Sequence, residues 1–263
     1  MILYFLLCIV STTVGAISGI GGGVIIKPVF DSFSGMPVAV ISFLSGCTVL
    51  SMSVVSLLCS RGGRVKVDKR RGTLLAVGAA VGGILGKMAF KWVKSLARND
   101  GLIGEVQSSI MILLTGGVLL YVIHKNLIKT LQTQSTVYCV TVGLMLGVLG
   151  AFLGIGGGPV NLVALYFFFS MDTKTAALNS IYIILFSQIT SFVTAVAQGS
   201  IGPVNSAVLI VMVIGGVMGG LIGRTVNKRL TEGQIDKLFI SILLVIIGIS
   251  VFNCVKYVTM LMN

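Results

Sequence analysis

The sequence predicts an all-helical polytopic membrane protein: about eight transmembrane segments in two homologous four-segment halves, with the first and fifth helices broken at glycine clusters. Three observations predict it. Hydrophobic residues fill 56% of the 263 positions and charged residues only 10%, a balance that excludes an ordinary soluble domain. Apolar runs of spanning length alternate with short stretches of charge and turn residues. A glycine cluster near the start recurs, nearly unchanged, 135 positions later.

The elements follow from these runs in chain order. Residues 2–33 form the first segment; it lacks a basic leader region, so it is expected to be retained rather than cleaved. It is too long for one plain span and is interrupted at Gly15–Gly23. The second, 36–59, carries Ser42, Ser45, Thr48 and Ser56. The third, 72–92, places Gly78, Gly82 and Gly86 on one face, which reads as a helix-packing notch, and ends at Lys87. The fourth, 105–124, closes on His124, the sole histidine. The fifth, 136–170, is again overlong and again interrupted, at Gly150–Gly158. The sixth, 173–197, gathers Ser180, Ser187, Ser191 and Thr194 on one helical face, continued by Gln198 just beyond it. The seventh, 203–224, repeats the notch as Gly215, Gly219 and Gly223 and ends at Arg224; 238–258 is the eighth. Residues 1–130 and 131–263 are thus two repeats.

An even number of spans per repeat implies parallel halves, and a re-entrant segment in each would invert them. With eight full spans the loop Lys and Arg divide nine against nine, so the positive-inside rule leaves orientation open. The net charge of +12 sits in short runs between apolar stretches, which suits lipid headgroups rather than nucleic acid. Five cysteines share no close spacing, so no disulfide framework, metal site or cofactor is expected. All seven acids, Asp31 among them, fall in loops or at segment ends, so no buried mid-span carboxylate is expected. Eight spans of roughly 20 residues leave no soluble catalytic domain, and no nucleophile stands at a workable spacing from a base, so no enzyme is expected.

The glycine clusters carry the chemistry. Gly21, Gly22 and Gly23, and again Gly156, Gly157 and Gly158, are poor helix formers in the middle of apolar runs. A helix broken there exposes backbone groups that must be buried in protein or line a wet cavity. A half-helix starting at Gly23 or Pro159 then aims its free N–H groups and positive dipole end at that cavity, a ready anion site. Pro159 suits a first helical turn because it has no N–H. Ser45, Asn179, Ser180 and Gln188 are candidate side-chain donors, and Lys27, one turn past the first cluster, is a candidate counter-charge. Close helix approach is the alternative for Gly15 and Gly150, and snorkelling to the headgroups the alternative for Lys27, Lys87 and Arg224.

The paired Gly-Ile-Gly-Gly-Gly clusters, Pro28 after the first, Ser45 and Ser180 in the following helices, and Gly-Lys or Gly-Arg at 86–87 and 223–224 resemble the TauE/SafE sulfite exporter family over essentially the whole chain. The resemblance implies export or uptake of small sulfur-containing anions such as sulfite, thiosulfate or organosulfonates. The expected function is a carrier, and its expected setting the bacterial inner membrane. A passive anion channel and a membrane scaffold are the competing readings. Val163 stands where Pro28 has its counterpart, and Leu44 where Asn179 has its own, so the two half-sites are expected to differ.

Overall fold

The computed structural model describes residues 1–60, 65–96, 100–125, 127–133, 135–199 and 204–262. The elements there are helical: α1 (Ile2–Ser18), α2 (Gly23–Phe33), α3 (Val38–Leu58), α4 (Lys69–Leu96), α5 (Asp100–His124), α6 (Thr136–Leu153), α7 (Pro159–Phe169), α8 (Thr173–Ala197), α9 (Ser206–Arg229) and α10 (Glu232–Met262). Seven, α3–α6 and α8–α10, are long and apolar enough to cross a membrane, while α1 and α7 are apolar but shorter. The protein is an integral, multi-pass membrane protein. Local signals set several helix starts. Asp172 accepts from the Thr175 N–H ahead of α8, Asn205 from Ala207 and Val208 ahead of α9, and Pro159 opens α7.

Residues 2–33 and 136–170, each expected as one broken segment, are pairs of helices lying side by side. Beyond Gly19, left-handed at φ +82°, the chain doubles back until Gly22 lies against Thr12. The Tyr4 ring then stacks on Phe30 at 5.0 Å and Phe33 at 6.3 Å, so α2 runs antiparallel to α1. In the second pair the backbone of Gly157 lies against Gly150. Leu131 and Thr133, just ahead of α6, donate to the carbonyls of Phe167 and Phe168 at 2.7 and 2.9 Å, so the end of α7 returns to the start of α6.

Small-residue stripes clamp these pairs to the rest. Gly78, Gly82 and Gly86 of α4 rest in step on Val140, Leu144 and Val148 of α6, and Gly143 and Gly147 of α6 rest on Leu75 and Ala79 of α4. Gly215, Gly219 and Gly223 of α9 advance along Cys8, Thr12 and Ala16 of α1, and Thr12 Oγ1 donates to the Gly215 carbonyl at 3.2 Å. Both pairs are parallel, and the expected notches are packing surfaces. The same device joins α9 to α3 at Gly216 and Gly220, and α4 to α8 at Gly83.

Helices α3 and α8 are antiparallel. Phe43 stacks on Phe192 at 5.8 Å, Gly46 faces Gln188, and Val49 and Ile184 meet at Gly21. Helices α5 and α10 are antiparallel too, from Ser109 beside Cys254 to the ion pair of Lys125 with Asp236. Exchanging α1–α5 for α6–α10 preserves the pairing: α1 packs on α9 as α6 does on α4, α3 on α9 as α8 on α4, and α2 on α10 as α7 on α5.

Candidate functional site

The glycine turns of the two pairs meet at the centre of the molecule. A side chain on Gly23 would strike the Ile155 carbonyl, and one on Gly158 would strike Val24 and Ile155. Helix α2 leads away from this point toward one face and α7 toward the other, so both positive dipole ends converge there. The first bonds of α2 run from Ile25 and Ile26 to the Gly22 carbonyl; the Gly23 and Val24 N–H groups have no intrahelical acceptor, as in any first turn. Gly21 is left-handed at φ +77°, and Gly156, Gly157 and Gly158 at +83°, +127° and +66°. Gly158 departs from Gly22, which stays in the helical region; Pro159 disfavours helical geometry at the residue before it.

The candidate donors divide. Gln188 is at the site: its amide lies between Gly46 and Gly156. Ser45 is buried, and its hydroxyl has no partner among the described residues. Ser180 braces the first turn, donating to the Gly19 carbonyl at 2.6 Å. Asn179 lies away from the turns. Its amide donates to the Thr175 carbonyl and accepts from the Asp68 N–H at 3.1 Å, so it anchors the start of α4. Asn161, passed over in the sequence because a lone amide in an apolar run gives no pattern, is buried in the first turn of α7 beside Gly157, and neither amide atom has a partner among the described residues.

Pockets flank the centre. Ser42, Gly46, Cys47, Gln188 and Ser191 line one around Lys87, and it continues outward past Lys91 and Lys94. The hydroxyls of Ser42 and Ser191 have no partner among the described residues. On the opposite face Ser60, Lys66, Lys69, Thr73 and Tyr182 line a second pocket. Val49 and Ile184 stand between the two. Lys87 therefore lines a cavity instead of reaching the headgroups. Arg224 does not snorkel either: it is 3% exposed and donates to Asn227, whose amide donates to the Ile17 carbonyl.

Lys27 and Asp31 correct two expectations together. Both are buried, at 4% and 6% exposure, and they pair at 2.7 Å. Asp31 sits near a helix end but not at water, because α2 is folded back against α1, α3 and α10. The i, i+4 spacing of opposite charges in an apolar run was the available signal.

A family model described as "Sulfite exporter TauE/SafE" matches residues 4–251. A Bacillus subtilis (strain 168) protein named "Probable membrane transporter protein YunE" is 26% identical over 264 residues, covering 94% of this chain and 95% of its own. No solved structure matches.

Proposed function

The chain belongs to the sulfite exporter TauE/SafE family of membrane transporters, and on that premise we propose that it is a carrier for small sulfur-containing anions such as sulfite or organosulfonates. The observation that carries this reading is the convergence of two half-helix N-termini at one buried point, with Asn161, Ser42 and Ser45, whose polar side-chain atoms have no partner among the described residues, nearby. Each terminus is worth about half a positive charge, so two balance roughly one negative charge. Gln188, Asn161, Ser42 and Ser45 supply side-chain hydrogen bonds and Lys87 the nearest vestibular cation. Val49, Ile184 and the packed turns separate the two pockets, which favours a carrier, exposing its site to each face in turn, over an open channel.

The architecture we propose is two inverted repeats. Equivalent helices α3 and α8 run antiparallel, and each glycine pair enters and leaves by the same face, so each repeat crosses the membrane three times. Loop charge supports one orientation for this arrangement. Lys66, Lys69, Arg70, Arg71, Lys125, Lys129, Lys174, Arg224, Lys228, Arg229 and Lys237 lie toward one face, which is then cytoplasmic by the positive-inside rule. Lys27, Lys87, Lys91, Lys94 and Lys256 lie toward the other; Arg61, Arg64 and Arg98 lie outside the described residues. The setting we assign is the bacterial inner membrane.

Purified protein in proteoliposomes should move labelled sulfite or an alkanesulfonate, and Gly22→Leu and Gly157→Leu should each abolish the flux while the protein still inserts. Wild-type flux in both variants would remove the paired turns from the route.

A further inference from the structure

The Lys27–Asp31 pair lies in a cavity bounded by α2, α5 and α10 and by the second glycine turn. Gln107 and Ser108 come from α5, Ser250 and Asn253 from α10, Leu153 from the end of α6 and Ile155 from the turn. Three oxygens there have no partner among the described residues: Asp31 Oδ1, Gln107 Oε1 and Ser250 Oγ. All three side chains are buried. A polar cavity with unmet acceptors, built around an ion pair and touching the proposed anion route, is poorly explained by packing alone.

We infer that Lys27 and Asp31 form a proton-linked exchange site: an entering anion replaces Asp31 on the Lys27 ammonium, and the released carboxylate takes up a proton. The inference rests on the transport reading above. Its logic is charge conservation in a low-dielectric site. The resting pair is neutral. An anion that moves from the dipole ends at the turns onto Lys27 leaves the Asp31 carboxylate as an uncompensated buried negative charge, which is costly, whereas a proton on Asp31 Oδ1 restores neutrality. That proton comes from water at the face where the anion entered and leaves with the anion at the other, so one anion and one proton move together and no net charge crosses.

The charged and titratable groups on the elements packed around Asp31 are few. Lys27 on α2 is the partner of its carboxylate. Lys256 on α10 donates to the backbone carbonyls of Asp31 and Ser32 at 3.0 and 2.9 Å, where it answers the negative C-terminal end of α2. Tyr257 and Cys254 on α10, Glu105 on α5, Cys47 on α3, and Tyr4 and Cys8 on α1 are the others among the described side chains in the half of these helices nearer Asp31, and Tyr4 packs on Phe30 and Phe33. The second half has no such site: Leu162 and Tyr166 stand at the corresponding positions, so coupling is assigned to one repeat.

The test uses methanesulfonate, a monoanion that carries no exchangeable proton, alongside sulfite. In proteoliposomes with the membrane potential clamped, an inward proton gradient should drive uphill accumulation of labelled methanesulfonate, with one proton per anion on an internal pH dye. Asp31→Asn should lower both accumulation and the proton signal at least tenfold, and Asp31→Glu, which keeps the carboxylate, should retain the one-to-one ratio. A wild-type ratio of zero, or a wild-type ratio in Asp31→Asn, overturns the inference and leaves transport standing. Absence of flux for both anions in the wild type overturns the transport reading and this inference with it.

Discussion

The turns at Gly19–Gly22 and Gly154–Gly158 reverse the chain in the same way, yet different partners hold them. The first is braced by Ser180, and its return helix carries Lys27 and Asp31, tied to α10 through Asn253 and Lys256. The second is left-handed at four glycines, faces Gln188 and Ser42, and returns through an α7 whose buried residues are mostly apolar. What the two turns share is backbone: a tight reversal and a helix start aimed at the centre. Where they differ is side-chain charge. Anion attraction by dipoles needs both copies, whereas exchange at an ion pair needs only one.

The largest test of this contrast is Lys27→Met. Leaving Asp31 buried without its partner should cost about 3–5 kcal/mol of stability, read as thermal unfolding in detergent, while Leu162→Met at the matching position should cost less than about 1.5 kcal/mol. Equal losses would break the asymmetry. Next come Gly15→Ala and Gly150→Ala. In each the new methyl would meet the backbone of the returning chain, at Gly22 and Gly157 respectively, and backbone cannot yield as a side chain can. Both should lose about 2–3 kcal/mol, and alike; a harmless change at either would show that its turn is not closed in the membrane.

Smaller effects sharpen the site. Lys87→Met removes the vestibular cation; a hydrogen bond to a charged ligand is worth roughly 1.5–3 kcal/mol, so the half-saturating anion concentration should rise about ten- to a hundredfold. An unchanged value would leave the dipoles as the principal counter-charge. The mildest is Gly21→Ala, where the methyl approaches only Ile184 at 3.3 Å and Val49 at 3.6 Å but the left-handed backbone costs about 1–2 kcal/mol.

Much of this was legible in the sequence. Hydropathy placed the helix bounds to within about six residues, and four-residue glycine spacing identified the α4 and α9 faces that pack on α6 and α1. Glycine also marked where the helices stop. It could not say which way the chain goes next, because direction is set by contacts such as Tyr4 with Phe30 and Leu131 with Phe167, which no local pattern encodes. That missing turn is why the loop charges balanced: folding each pair back moves every later loop to the other face. Asp31 was misread for a related reason, since burial belongs to the assembled bundle and not to distance from a helix end. Asn179 shared its register with Leu44 rather than with another polar group, and only the structure links it to Asp68.

The clamp between α1 and α9 bears on how the protein is made. Thr12 and its acceptor Gly215 are 203 residues apart, whereas the matching clamp of the second pair joins α6 to α4, which precedes it. At ribosomal rates of about 5–20 residues per second, the first hairpin waits roughly 10–40 s before its groove is filled, with small and hydroxyl-bearing surface facing the insertion machinery or lipid. The second hairpin finds its seat already synthesised. Assembly is therefore lopsided: the N-terminal hairpin waits the longer for its partner helix, and slowing translation beyond α8 should increase its exposure to membrane proteases.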